Sequence, residues 1–188
     1  MRPILLASQS PRRKELMQLL PWPFEVYTKE VEEQIDTQLA PEVNVQSLAE
    51  QKAMAVAECY SDRLVIGADT VVCYEGKIMG KPKDQEDAKQ ILRLLSGNTH
   101  QVYTGVAIIC KETQTKVTFY QATHVTMQDL SDSEIEEYLL TNESHDKAGA
   151  YAIQGYGARY IYSIEGDYYN VVGLPVHAVY SKLKEILG

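Results

Sequence analysis

Apolar positions along this chain alternate between two spacings, and the changes of spacing divide it into elements. Pro3-Ile4-Leu5-Leu6-Ala7-Ser8 is a short apolar run that predicts a strand. Ser10 suits a helix N-cap and Pro11 the first helical position. Leu16, Leu19 and Leu20 are expected to face inward before Pro21 and Pro23 stop the helix, and Phe24 to Thr28 reads as a second strand. A long helix is predicted from Pro41 to about Tyr60, with Val45, Leu48, Ala49, Ala53 and Val56 as its apolar stripe. Leu64 to Cys73 is a hydrophobic strand, turned back at Glu75-Gly76 through Ile78-Met79, and Asp84 caps the next helix.

Val102 to Cys110 and Lys116 to Met127 predict a long hairpin around Glu112-Thr113-Gln114. Ser131-x-x-Glu134 is a capping box for a helix to about Leu140. Arg159 to Ile164 and Tyr168 to Val172 read as a further strand pair. A last helix from Pro175 is expected to bury Val176, Val179, Tyr180, Leu183 and Leu187. Alternating helices and strands with frequent hairpins predict a mixed sheet in an α/β (mixed α+β) fold, one domain over 1–188.

Composition narrows the function. With 188 residues, 45% apolar and 23% charged, the chain has the make-up of an ordinary globular protein. The 18 Lys+Arg against 26 Asp+Glu leave a net charge of −8. That field opposes a long nucleic-acid partner but says nothing about one cationic cleft. Cys59, Cys73 and Cys110 are odd in number and match no zinc or redox spacing, so they read as buried small hydrophobes. Ile4 to Ala7 is too short for a signal-peptide core, and no apolar stretch nears the roughly 20 residues of a membrane span. A cytoplasmic, soluble protein is the expectation.

The chemistry is expected where polar residues interrupt the pattern. Ser8-Gln9-Ser10-Pro11-Arg12-Arg13 places two cations in a first helical turn, where the helix dipole disfavours them. They are either solvated surface arginines or the cradle of an anion such as phosphate. Lys52 falls on the apolar stripe of its helix, with its head either escaping to water or entering a polar cleft. Asp69-Thr70 puts a carboxylate inside an apolar strand, where it is either paired, metal-bound or lining a cavity, or turned to the surface by a bulge. Gly80-Lys81-Pro82 either aims a lysine from a tight turn into a site or holds an exposed turn lysine, and the segment from Gly76 lacks P-loop spacing and its Ser/Thr. Asp146 to Gly155 is small and glycine-rich, with Gln154 as an amide that both donates and accepts. His100, His124, His145 and His177 share no metal-ligand spacing and read as structural or surface groups. Cations for a polyphosphate, the carboxylates Glu33 and Asp69, and an amide for a base edge together point to a nucleotide.

Five ordered stretches carry a resemblance to a known family: Leu5 to Arg13, Ile66 to Thr70, Gly80 to Pro82, Asp146 to Gly155 and Gly166 to Pro175. Over essentially its whole length the chain resembles the Maf, or septum-formation-inhibitor-like, nucleoside triphosphate pyrophosphatases. The resemblance implies an elongated mixed sheet flanked by helices, two lobes with a central cleft, and a fold like the inosine triphosphate pyrophosphatases. It implies hydrolysis of the α–β bond to a nucleoside monophosphate and pyrophosphate, with a divalent cation, Mg²⁺ or Mn²⁺. Arg12, Thr70 and Gln154 match the dTTP/UTP-type subgroup, while Ala152 stands where glycine is common. On this resemblance Asp69 activates water, and Asp69 and Glu33 hold the metal. Arg12, Arg13, Lys52 and Lys81 neutralise the triphosphate, and Ser8 belongs to the same binding set. A nucleotide-binding regulator of cell division is the alternative, and the sequence leaves a homodimer open.

Overall fold

A computed structural model describes residues 3–188. These residues form a mixed α/β structure with one sheet of seven strands, flanked by helices. The strands are β1 (Ile4–Leu6), β2 (Phe24–Val26), β3 (Val65–Tyr74), β4 (Lys77–Met79), β5 (Thr99–Cys110), β6 (Thr115–Met127) and β7 (Ile161–Glu165). Their order is β2-β1-β3-β5-β6-β7, with β4 paired to β3. β1 lies parallel to both β2 and β3, whereas β4 on β3 and β7 on β6 are antiparallel. The helices are α1 (Pro11–Met17), α2 (Pro41–Ala57), α3 (Gln85–Leu95), α4 (Asp132–Leu139), α5 (Tyr168–Val172) and α6 (Val176–Leu187).

The chain divides into two compact units. The first takes residues up to Asp69, Thr104–Gln121 and Gly173–Gly188. Its core packs α2 onto the sheet through Ala49, Ala53, Val56 and Ala57 against Leu5, Val65, Ala107 and Ile109. This approach is unusually close. A Cβ at Gly67 on β3 would stand 2.3 Å from the Ala49 carbonyl oxygen, and one at Gly105 on β5 would stand 2.3 Å from the Val45 carbonyl. Helix backbone therefore rests on strand backbone at both points, which only glycine allows. Asn44 braces the entry to α2, accepting from the Asp36 N–H and donating to the Asp36 and Leu39 carbonyls.

The second unit takes Thr70–Tyr103 and Ala122–Val172. Asp84 caps α3 by accepting from the Asp87 N–H, and the capping box of α4 is complete. His100 on β5 is buried and shares a 2.7 Å hydrogen bond with the buried Tyr151 hydroxyl.

Four expectations need correction. Tyr168 to Val172 is α5, not a strand. Its β-rich composition is overridden by Asp167, whose carboxylate accepts from the Tyr169 N–H, and by Asn170, whose buried amide donates to the Val102 carbonyl and the Thr123 hydroxyl. Leu19 lies past the end of α1 and points outward, while Leu16 and Leu20 are buried. Tyr180 is on the outer side of α6, stacked on Trp22 at 5.6 Å, leaving Val179 and Leu183 as the buried positions. Cys59 is exposed just beyond α2, whereas Cys73 and Cys110 are buried.

Gly67→Ala is expected to destabilise the protein by about 1–3 kcal/mol or more, because its methyl meets backbone that cannot step aside. A fall in Tm measures it, and an unchanged Tm would contradict the close packing of α2.

Burial pushes the His100 imidazole from 6.5 down to about 4. Between those values the unfolded chain binds a proton that the folded chain refuses. Stability is therefore full above about pH 6.5 and falls as pH drops towards 4, by roughly 3 kcal/mol from this group. In His100→Gln the Tm should depend less on pH across that window than in the parent protein. Parallel pH–Tm curves would contradict the burial of a neutral ring.

Candidate active site

Period-two alternation places Val65, Gly67 and Asp69 on the face of β3 that meets α2. Val65 and Gly67 fill that face with contacts to Ala49 and Ala53, so Asp69 is delivered to the same helix one step further on. Lys52 stands there, one turn beyond Ala49. Its Nζ donates to Asp69 Oδ1 at 2.6 Å and lies 3.0 Å from Glu33 Oε1. Asp69 is buried, at 7% exposure, and Lys52 is mostly buried, whereas Glu33 sits in an exposed loop before α2. A carboxylate in an apolar strand is tolerable here because an ammonium reaches it directly.

The end of β1 supplies the neighbouring cation. Ser10 caps α1 by accepting from the Arg13 N–H. The Arg13 side chain turns back, donating Nε–H to the Gly173 carbonyl at 2.8 Å and Nη1–H to the Ser8 hydroxyl at 3.4 Å. Ser8 Oγ also accepts from the Ser10 N–H. Burial lowers the Arg13 pKa, the carboxylates of Asp69 and Glu33 raise it, and Arg12 lowers it. The guanidinium thus lies within the field of the same carboxylate pair that Lys52 bridges.

The first unit accordingly holds Ser8, Arg12, Arg13, Glu33, Lys52 and Asp69. It joins Ser8 to Arg13 and Glu33 and Asp69 to Lys52 by direct contacts. Thr70, Lys81 and Gln154 belong to the second unit. Thr70 follows Asp69 on the opposite strand face. Lys81 is exposed on a turn held by the Gly149 N–H, which donates to the Gly80 carbonyl at 3.2 Å. Gly149 has φ +73°, and a Cβ there would stand 2.7 Å from Val72 Cγ2, so the glycine seats this segment on β3. Gln154 is exposed, and among the described residues its amide has no hydrogen-bond partner. The Gly173 carbonyl is an acceptor that no sequence reasoning finds, since a backbone oxygen leaves no trace in residue type. Glu143 carries no signal of its own either, because an acid in the polar run Thr141-Asn142-Glu143-Ser144 is also what a solvated turn shows.

The fold is a mixed α/β sheet architecture similar to that of the Staphylococcus aureus Ham1 protein. The two share a TM-score of 0.56 and 14% sequence identity, over 98% of this chain and 99% of that one. The chain belongs to the family described as Maf-like protein, which it matches over residues 3–186. Two Bacillus cereus proteins named dTTP/UTP pyrophosphatase, one of them from strain B4264, are each 54% identical to it over 185 residues. These matches cover 98% of this chain and 96% of theirs.

Replacing Lys52 by Met strands the buried Asp69 carboxylate and should cost about 1–3 kcal/mol. Adding Asp69→Asn removes the stranded charge, so the pair should show a coupling of about 0.5–3 kcal/mol. Denaturant unfolding of the four proteins completes the cycle, and simple additivity would contradict the ion pair.

Proposed function

We propose that this chain hydrolyses dTTP and UTP to the nucleoside monophosphate and pyrophosphate. The observation that carries the reading is the buried Asp69 carboxylate bridged through Lys52 to Glu33, with Arg13 in the same field. The pyrophosphatases of Bacillus cereus, at 54% identity, support the substrate class.

In this mechanism Asp69 accepts a proton from a water whose oxygen attacks the α-phosphorus. The bond from that phosphorus to the α–β bridging oxygen breaks, and pyrophosphate leaves with the bonding electrons. Lys52 fixes Asp69 through Oδ1, leaving Oδ2 to take the proton. Arg12, Arg13, Lys52 and Lys81 balance negative charge on the triphosphate, and Ser8 holds Arg13 in place. Two carboxylates are hard oxygen donors suited to Mg²⁺ or Mn²⁺. Among the described residues no group of three or more His, Cys, Asp or Glu side chains forms a complete metal cage, so Asp69 and Glu33 would share the ion with phosphate oxygens. Such an ion would supply further neutralisation of phosphate charge.

Gln154 is assigned to the base. Its amide oxygen accepts from the pyrimidine N3–H while its NH₂ donates to an adjacent carbonyl. Thr70 and Arg12 complete the set associated with this preference. A bound purine would cover the exposed amide without pairing it, a cost of about 1–3 kcal/mol, or roughly ten- to hundredfold in discrimination.

Initial rates across the common nucleoside triphosphates, with product identification, test the reading. The expected result is dTTP and UTP well ahead of ATP and GTP, CTP between them, and pyrophosphate as the product. Asp69→Asn should lose about 10²–10⁴ in rate while staying folded. Release of orthophosphate, preference for a purine, or an active Asp69→Asn would overturn it.

A further inference from the structure

The turn that carries Gln154 is closed by one carboxylate. Glu143 follows α4, and its two oxygens reach across to the segment after Tyr151. Oε1 accepts from the Tyr156 N–H at 3.0 Å. Oε2 accepts from the Gly157 N–H at 2.9 Å and from the Tyr138 hydroxyl at 2.9 Å. Tyr138 is 1% exposed, and its hydroxyl oxygen in turn accepts from the Ala152 N–H at 3.1 Å. Backbone donors on both sides of Gln154 therefore end on Glu143, two directly and one through a buried phenol. Gly155 has φ +86°, and a Cβ there would lie 2.0 Å from Glu143 Oε1. The backbone next to Gln154 is thus moulded onto the carboxylate in a conformation that favours glycine.

A carboxylate accepting several N–H and O–H bonds at once is a strong local anchor. Gln154, Gly155 and Tyr156 are exposed, whereas Ala152 and Gly157 are buried, so the anchor satisfies N–H groups that water does not reach and holds the exposed tip between them. Gln154 itself makes no hydrogen bond to the described residues, so its direction is set by the backbone that bears it. We propose that Glu143 is a positioning residue for base selection: it clasps the 152–157 turn so that the Gln154 amide is presented in one orientation. This rests on the assignment of Gln154 to the pyrimidine edge. On this proposal Glu143 has a part in recognition and none in the bond-breaking step.

The test compares Glu143→Ala, Glu143→Gln, Gln154→Ala and the double variant Glu143→Ala/Gln154→Ala, using dTTP and GTP. Glu143→Ala is expected to lower the dTTP-to-GTP ratio of kcat/KM by roughly tenfold, through KM for dTTP, with kcat little changed. The double variant should be no less selective than Gln154→Ala alone, because both act through one amide. Glu143→Gln keeps one acceptor oxygen and should recover part of the selectivity. If Gln154→Ala loses selectivity and the folded Glu143 variants keep it, the clasp is wrong and the base-reading role of Gln154 stands. If Gln154→Ala keeps full selectivity, the reading of Gln154 fails and the clasp falls with it. Should Glu143→Ala not fold, amide hydrogen exchange in the unmodified protein decides: slow exchange at Tyr156 and Gly157 supports the clasp, and exchange at free-turn rates refutes it.

Discussion

The geometry of this protein depends on how closely α2 lies on the sheet. Two glycines, on neighbouring strands, let a helix backbone touch strand backbone. The ion pair follows from that contact. With the helix drawn in to the sheet one turn away, at Ala49, the Lys52 ammonium stands 2.6 Å from the Asp69 carboxylate. Side chains of ordinary size at Gly67 or Gly105 would hold the helix away and stretch the geometry that pairs the buried Asp69 with Lys52. Packing of apolar alanines and placement of a charged pair are thus one constraint, expressed at successive positions of α2 and β3.

The same economy governs Arg13. A guanidinium has five N–H donors in a fixed fork, and here its Nε–H is committed to a backbone carbonyl and one Nη1–H to a serine hydroxyl. Anchoring of this kind removes rotamer freedom before any ligand arrives. The cation is held in a set direction, and the remaining donors of the fork inherit it.

Much of the fold was legible in the sequence wherever a local rule was obeyed. Ser10-Pro11, Asp84 and the Ser131–Glu134 box mark helix starts because an N-cap is a property of neighbouring residues. Asp69 and Lys52 stood out because each broke an apolar pattern. Their pairing was not legible, since strand and helix meet across seventeen residues of sequence only once folded. Tyr168 to Val172 misled because tyrosine and valine favour strands, while the groups that wind it into a helix, Thr123 and the Val102 carbonyl, lie far away in the chain. Glu143 escaped notice for a related reason. An acid in a polar turn looks solvated until the backbone donors it gathers are in place.

The first unit is assembled from three separated stretches of chain, the last of them Gly173–Gly188. Arg13, in α1, donates to a carbonyl 160 residues later. During synthesis the N-terminal strand and its arginine therefore emerge long before their partner exists. The segments of the second unit, Thr70–Tyr103 and Ala122–Val172, all precede that partner in the sequence. The stretch that carries the Gly173 carbonyl is thus the last of the three to be made, and a chain cut before it holds Asp69 and Lys52 without that acceptor for Arg13.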